Sequence, residues 1–284
     1  MKLYWCKFNN FGDALNEYIF ERCFDVKADF YPITDADAIG IGSVLENALL
    51  STKDLNKIIK IFLNKNKPLY VLSSGFGWEE EHYTSRIRFF KSMILKRNLK
   101  IVSLRGKNTL ALVEKFLNTK IDNPVLGDLG LLASELLKQR KTPTYDIGIV
   151  PHYADFGNPV FEKIFEQNPN SIIIDTMVGV EEFMKQISRC KSVISTGMHP
   201  LIAADSLGIP NLWCRISEKT TTRFKYADYY SVFDLNIQPI NLYETDISKD
   251  FIIQNYKISY NKVNDIKQQL INTYKDFFAS GQIN

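Results

Sequence analysis

The chain has 284 residues, of which 45% are apolar and 24% charged, and its formal net charge is +3. This is the composition of a folded globular protein with enough apolar material for two modest cores, and it excludes a disordered chain. So small and evenly spread a charge leaves no footprint for nucleic acid, and no apolar run approaches the roughly 20 residues of a membrane span.

The four cysteines, Cys6, Cys23, Cys190 and Cys214, are far apart with no C-x-x-C pair, so neither a metal site nor a disulfide framework is expected. The opening MKLYWCKFNN is too short and polar for a signal peptide. A cytoplasmic protein with at most peripheral contact to the inner membrane face is the expectation.

From end to end, short apolar runs alternate with amphipathic stretches, the pattern of parallel sheets covered by helices. In chain order the predicted strands are KLYWCKF, ADAIGIG, PLYVLSS, KIVSLR, YDIGIVP, SIIIDT, SVIST and PNLWCRI. The predicted helices between them include KDLNKIIKIFLNK, NTLALVEKFLN, DLGLLASELLKQ, NPVFEKIFEQ and VEEFMKQISRC, and YNKVNDIKQQLINTYKDFFAS closes the chain. A polar segment from Lys138 to Asp146 separates two βα series of similar size. The expectation is an α/β protein of two Rossmann-like domains facing across a cleft, residues 1–140 and 141–284, with the last helix packing back on the first.

In doubly wound sheets ligands bind beyond the carboxyl ends of the strands, so a functional residue belongs just after a strand. NNFGDALN passes that test with Asp13, although an N-cap explains it equally. GIGSVL and SSGFGW place Gly42 and Gly75 at neighbouring strand ends, with Gly40 and Gly77 beside them; they admit a ligand close to backbone amides or simply form tight turns. Arg105 ends an apolar strand and suits a bidentate clamp on carboxylate or phosphate. Asp128 stands at a helix start, binding or capping. His152 directly follows a strand, whereas His82 follows an acidic run and reads as a solvated surface residue.

In SVISTGMHPLIAADSLGIPNLW, Ser195 ends a strand and Pro200 suits the first position of a helix. His199 then sits at or near the N-cap, a proton donor beside free N–H groups that suit an anion. TTTRFKYADYYSVFDL reads either as an amphipathic linker or as a mobile basic loop carrying Lys225 over a sugar or phosphate. Trp78, Trp213, Tyr226 and Tyr229 suit either sugar stacking or the core.

Taken in order, NFGDALN, GIGSVL, SSGFG, LRGKNT, GDLGLL, IVPHYAD, STGMHPLIAADSLGIPNLW and FKYADYYS resemble the polysaccharide pyruvyl transferase family, most of all its succinoglycan-type exopolysaccharide branch. His199, Ala204, Asp205, Gly208 and Pro210 match the pattern around the family's histidine. Pro200 stands where the family usually has glycine, and Gly197 where some branches carry arginine.

The resemblance implies a GT-B-like fold in a bacterial capsule or exopolysaccharide pathway. Its implied reaction is transfer of pyruvate from phosphoenolpyruvate to two hydroxyls of a hexose, free or lipid-linked, as a cyclic ketal. No cofactor or metal is needed beyond that donor. On this reading His199 is the general acid, or else holds the phosphate as an imidazolium, kept protonated near neutral pH by the neighbouring dianion. Arg105 and Lys225 receive the anionic groups of the donor with His152 close by, Gly42, Gly75 and Ser195 belong to the substrate site, and Asp13 and Asp128 orient acceptor hydroxyls or merely cap helices. A nucleotide-sugar glycosyltransferase or a non-catalytic glycan-binding relative remains open as an alternative.

Overall fold

The computed structural model describes residues 1–49, 63–64, 66–80, 82, 98–139, 142–217 and 222–283. Among these, ten strands form two parallel sheets. The first holds β1 (Lys2–Tyr4), β2 (Asp29–Phe30), β3 (Ala38–Ile39), β4 (Pro68–Ser74) and β5 (Asn98–Leu104) in the order β2-β1-β3-β4-β5. The second holds β6 (Tyr145–Val150), β7 (Ser171–Ile173), β8 (Cys190–Ser195), β9 (Asn211–Arg215) and β10 (Ile240–Asn241) in the order β10-β9-β8-β6-β7. Central strands read as unbroken apolar runs because helices cover both faces; Leu69, Val71 and Leu72 of β4 and Ile147, Ile149 and Val150 of β6 are fully buried. The chain is thus an α/β protein of two Rossmann-like sheets. The order reverses between β1 and β3 in one sheet and between β6 and β8 in the other, which opens a crevice beyond those strand ends.

The helices are α1 (Phe11–Phe24), α2 (Glu46–Leu49), α3 (Lys107–Leu117), α4 (Pro159–Gln167), α5 (Val180–Ile187), α6 (Met198–Ser206), α7 (Arg223–Ser231), α8 (Lys249–Asn255) and α9 (Tyr260–Ala279). Their starts follow local chemistry. Asn10 caps α1 by accepting the Asp13 N–H at 3.0 Å, and Asn158 caps α4 ahead of Pro159. The helix expected over 128–139 is instead a 3-10 helix, Leu129–Leu136. The one expected over 53–65 falls almost wholly outside the described residues.

One apolar cluster runs through both sheets and joins Leu3, Phe11 and Leu15 to Phe183, Leu201 and Tyr226. Two helices knit it together. Helix α9 returns over the first sheet, where Tyr274 stacks on Phe24 and shares a 2.6 Å hydrogen bond with Ser103 Oγ. Helix α7 faces both ways. Towards the second sheet, Tyr226 OH donates to the Thr196 carbonyl at 2.7 Å and Tyr229 OH to Asp205 Oδ2 at 2.6 Å. Towards the first, Asp228 accepts Arg105 Nε at 2.9 Å and both the N–H and Oγ1 of Thr109. Gly106 permits this approach, since a Cβ there would stand 1.9 Å from the Asp228 carbonyl oxygen. The segment read as a possible mobile loop is therefore an anchored helix from Arg223 on; 218–221 lie outside the described residues.

Among the described residues no helix is long and apolar enough to cross a membrane.

Candidate active site

A cleft of about 430 Å³ lies beyond the carboxyl ends of both sheets, within the usual size range of small-molecule sites. Its walls are the residues that follow strands. Cys6, Asn10, Gly12 and Asp13 come after β1; Gly42, Ser43, Glu46 and Asn47 after β3; Gly77 and Trp78 after β4. From the second sheet come His152 and Tyr153 after β6, Thr176 after β7, and Gly197, Met198 and His199 after β8, with Lys225 on α7. Of the nine residues assigned a site role in the sequence, Asp13, Gly42, His152, His199 and Lys225 meet here, joined by Gly77 and Trp78.

The other four do not. Arg105 is fully buried. Its guanidinium lies against Gly75 and donates to Asp228, to Ser43 Oγ at 2.7 Å and to the Phe76 carbonyl, so it stands behind Ser43 rather than in the cleft. Gly75 is absent from the wall for the same reason, because a Cβ there would lie 2.5 Å from Arg105 Cζ. Asp128 caps the 3-10 helix, accepting the Gly130 N–H at 2.8 Å, while its Oδ2 is buried with no partner. Ser195 donates to the Val150 carbonyl and accepts the Gly197 N–H at 2.9 Å, so it shapes the turn before α6 and meets no ligand. Trp213, Tyr226 and Tyr229 are core residues as well, with the first two rings stacked 4.1 Å apart; of these four aromatics Trp78, 44% exposed, lines the cleft.

Helix α6 starts earlier than expected. Gly197 is its N-cap, Met198 its first residue, and Pro200 its third, where a missing N–H still costs nothing. His199 lies on the first turn of this helix and packs against the first turn of α1. Gly12 makes that possible, since a Cβ there would stand 2.0 Å from His199 Nδ1. The ring lines the cleft and is half-buried, and its Nε2 is sealed with no protein partner. Burial, with the charges of Lys225, Arg105 and His152, pushes its pKa down to about 3. Without a ligand the imidazole is therefore neutral at pH 7.

The remaining groups divide by sheet. On the second side, His152 accepts the Ala154 N–H on Nδ1 at 3.3 Å, so the neutral ring keeps its proton on Nε2; burial lowers its pKa. Lys225 points its ammonium into the cleft and has no hydrogen-bond or ion-pair partner among the described residues beyond a contact 5.3 Å from the Tyr226 ring centroid. Burial and the Arg105 charge lower its pKa to about 8, so it remains mostly charged at pH 7.

On the first side, Asp13 accepts Asn10 Nδ2 and the Cys6 thiol, and burial raises it to about 6. Glu46 accepts the Gly77 N–H at 3.3 Å and is raised by burial to about 7. Ser43, Glu46 and Cys6 were missed in the sequence. Only the S-x-x-E spacing that follows GIG carried a signal for two of them, and it reads as local helix capping.

The two sheets thus meet at a crevice with one ammonium, Lys225, on one side and two carboxyl groups raised by burial, Asp13 and Glu46, on the other. The chain belongs to the polysaccharide pyruvyl transferase family, whose model matches residues 4–218. It is 26% identical over 261 residues to an uncharacterized protein of Acanthamoeba polyphaga mimivirus, covering 89% of this chain and 81% of that one. Among solved structures, a Staphylococcus aureus MnaA–UDP complex is similar at a TM-score of 0.47 and 11% identity, covering 93% of this chain and 84% of that one. A putative UDP-N-acetylglucosamine 2-epimerase from Listeria monocytogenes follows at a TM-score of 0.43 and 12% identity, covering 90% and 85%.

Proposed function

We propose that this pyruvyl transferase takes pyruvate from phosphoenolpyruvate and joins it as a cyclic ketal to two hydroxyls of a hexose in a surface polysaccharide or its lipid-linked precursor. The observation that carries the donor assignment is the unpaired Lys225 ammonium beside His152 and His199 in the cleft. Phosphoenolpyruvate brings a phosphate and a carboxylate, and an uncompensated cation in a partly desolvated cleft favours such an anion. The free N–H groups at the start of α6 add to that preference.

Donor binding also changes His199. Lifting its pKa from about 3 to near neutrality takes roughly 5 kcal/mol. A dianion ~4 Å away at an effective dielectric of ~20 contributes roughly 8 kcal/mol. The imidazole thus becomes a proton donor only once the phosphate is seated. It then protonates the enol carbon of the donor, and the oxocarbenium-like centre is attacked by the first acceptor hydroxyl. Arg105 contributes through its charge and through Ser43, not by contact.

The test is to incubate the protein with phosphoenolpyruvate and a panel of hexosides, following inorganic phosphate and an acid-labile ketal by mass. His199→Ala is expected to lose at least ~100-fold in rate with the fold intact. Turnover of a nucleotide sugar with release of a nucleoside diphosphate, and none of phosphoenolpyruvate, overturns the reading.

A further inference from the structure

The charges of the cleft are sorted by side, and the carboxyl groups of the first-sheet side take no part in the donor assignment above. It carries two carboxylates of different standing. Asp13 is occupied: it accepts Asn10 Nδ2 and the Cys6 thiol and feels the Lys225 charge. Glu46 is not. Among the described residues its carboxylate accepts only backbone N–H groups, its own and that of Gly77 at 3.3 Å, and has no ion-pair partner. The carboxylate lies close against backbone, since a Cβ at Gly77 would stand 3.2 Å from Glu46 Oε1. The charged and titratable groups that act on it are Tyr4 of β1 and Arg105, the latter enclosed behind Ser43. His152, His199 and Lys225 belong to the opposite wall.

We infer that Glu46 is the catalytic base that takes the proton of the attacking acceptor hydroxyl, with Asn47 and Trp78 beside it forming the sugar side of the cleft. The inference rests on the pyruvyl-transfer reading and adds the acceptor's half of the chemistry. The atoms balance. The enol carbon gains one proton, a C–O bond forms between the adjacent carbon and the first hydroxyl, and that hydroxyl's proton passes to Glu46. The bond to phosphate then breaks, and the departing phosphate carries the Glu46 proton away. The second hydroxyl closes the ring, and its proton restores the acid that served the enol carbon. A carboxyl group raised to about 7 by burial is matched to this exchange near neutral pH.

The test compares Glu46→Gln, Glu46→Asp and Asp13→Asn with the wild type in the phosphoenolpyruvate and hexoside assay, across about pH 5.5–9. Glu46→Gln keeps an acceptor for the Gly77 amide, and its folding is checked by thermal melting. Its kcat is expected to fall at least ~100-fold with KM for phosphoenolpyruvate changed by less than about threefold. The acid limb of the wild-type kcat profile disappears in Glu46→Gln and persists in Glu46→Asp and in Asp13→Asn. Loss of that limb in Asp13→Asn instead, or turnover by Glu46→Gln within about tenfold of wild type, overturns the assignment and leaves pyruvyl transfer standing. Absence of ketal from the wild type with every hexoside overturns both.

Discussion

Gly12→Ala tests the geometry of the site without touching a chemical group. The new Cβ would lie 2.0 Å from His199 Nδ1, 2.5 Å from Cγ and 2.9 Å from Cβ, all closer than atoms can approach. Helix α1 cannot yield, because the Asn10 cap, the Phe11 N–H bond to the Thr176 carbonyl at 2.7 Å and the Phe11–Phe183 stack at 4.0 Å fix its first turn. The imidazole must therefore shift by about 1 Å or change rotamer, an overpacking strain of about 1–3 kcal/mol. At about 2–4 °C per kcal/mol for a chain of this size, Tm falls by roughly 2–12 °C. A misplacement of ~1 Å at a reacting group costs on the order of 100-fold in rate. The assay is a thermal melt with ketal formation measured on the same sample. Gly12→Ala/His199→Ala should melt above the sum of its parts, with a coupling of roughly 0.5–3 kcal/mol, because the clash is gone. Wild-type kcat and Tm in Gly12→Ala would show that the ring is not seated on α1.

Arg105→Met leaves the Asp228 carboxylate buried with only its Thr109 donors and should cost about 3–5 kcal/mol in urea denaturation; a loss below about 1 kcal/mol contradicts the buried ion pair. Asp128→Asn should stabilise. Burial raises the Asp128 carboxyl in the folded state to about 6, against ~3.9 unfolded, so its stabilising contribution is complete below about pH 4 and is lost as pH rises through about 6. The variant should gain up to ~3 kcal/mol at about pH 7.5 and nothing near pH 3, and equal gains at both pH values refute the burial argument. Lys225→Met should weaken phosphoenolpyruvate binding by at least about tenfold in calorimetry. Wild-type affinity should itself decline as pH rises through about 8, where Lys225 loses its charge, and the variant should show no such decline.

The alternation of apolar and amphipathic stretches determined the α/β class and both parallel sheets, because a strand covered on both faces must be apolar along its whole length. The strand-end rule found Asp13, Gly42, His152 and His199, since the crevice of a doubly wound sheet is made by whatever follows its strands. The ordered motifs were enough for the family. What local sequence does not hold is which strand ends are covered. Arg105 satisfies the rule as well as His152 does, yet Asp228, lying 123 residues further on, encloses it through α7.

Asp128, through one carboxylate oxygen, and Ser195 likewise serve turns, and Glu46 reaches the cleft only because β4 brings Gly77 beside α2. The protonation of His199 belongs to the same class. An isolated imidazole titrates near 6.5, and only burial among Lys225, Arg105 and His152 makes this one neutral until an anion arrives. Periodicity is a property of neighbours in the chain, whereas burial and field are set by residues from distant elements that meet only when the two sheets close on each other.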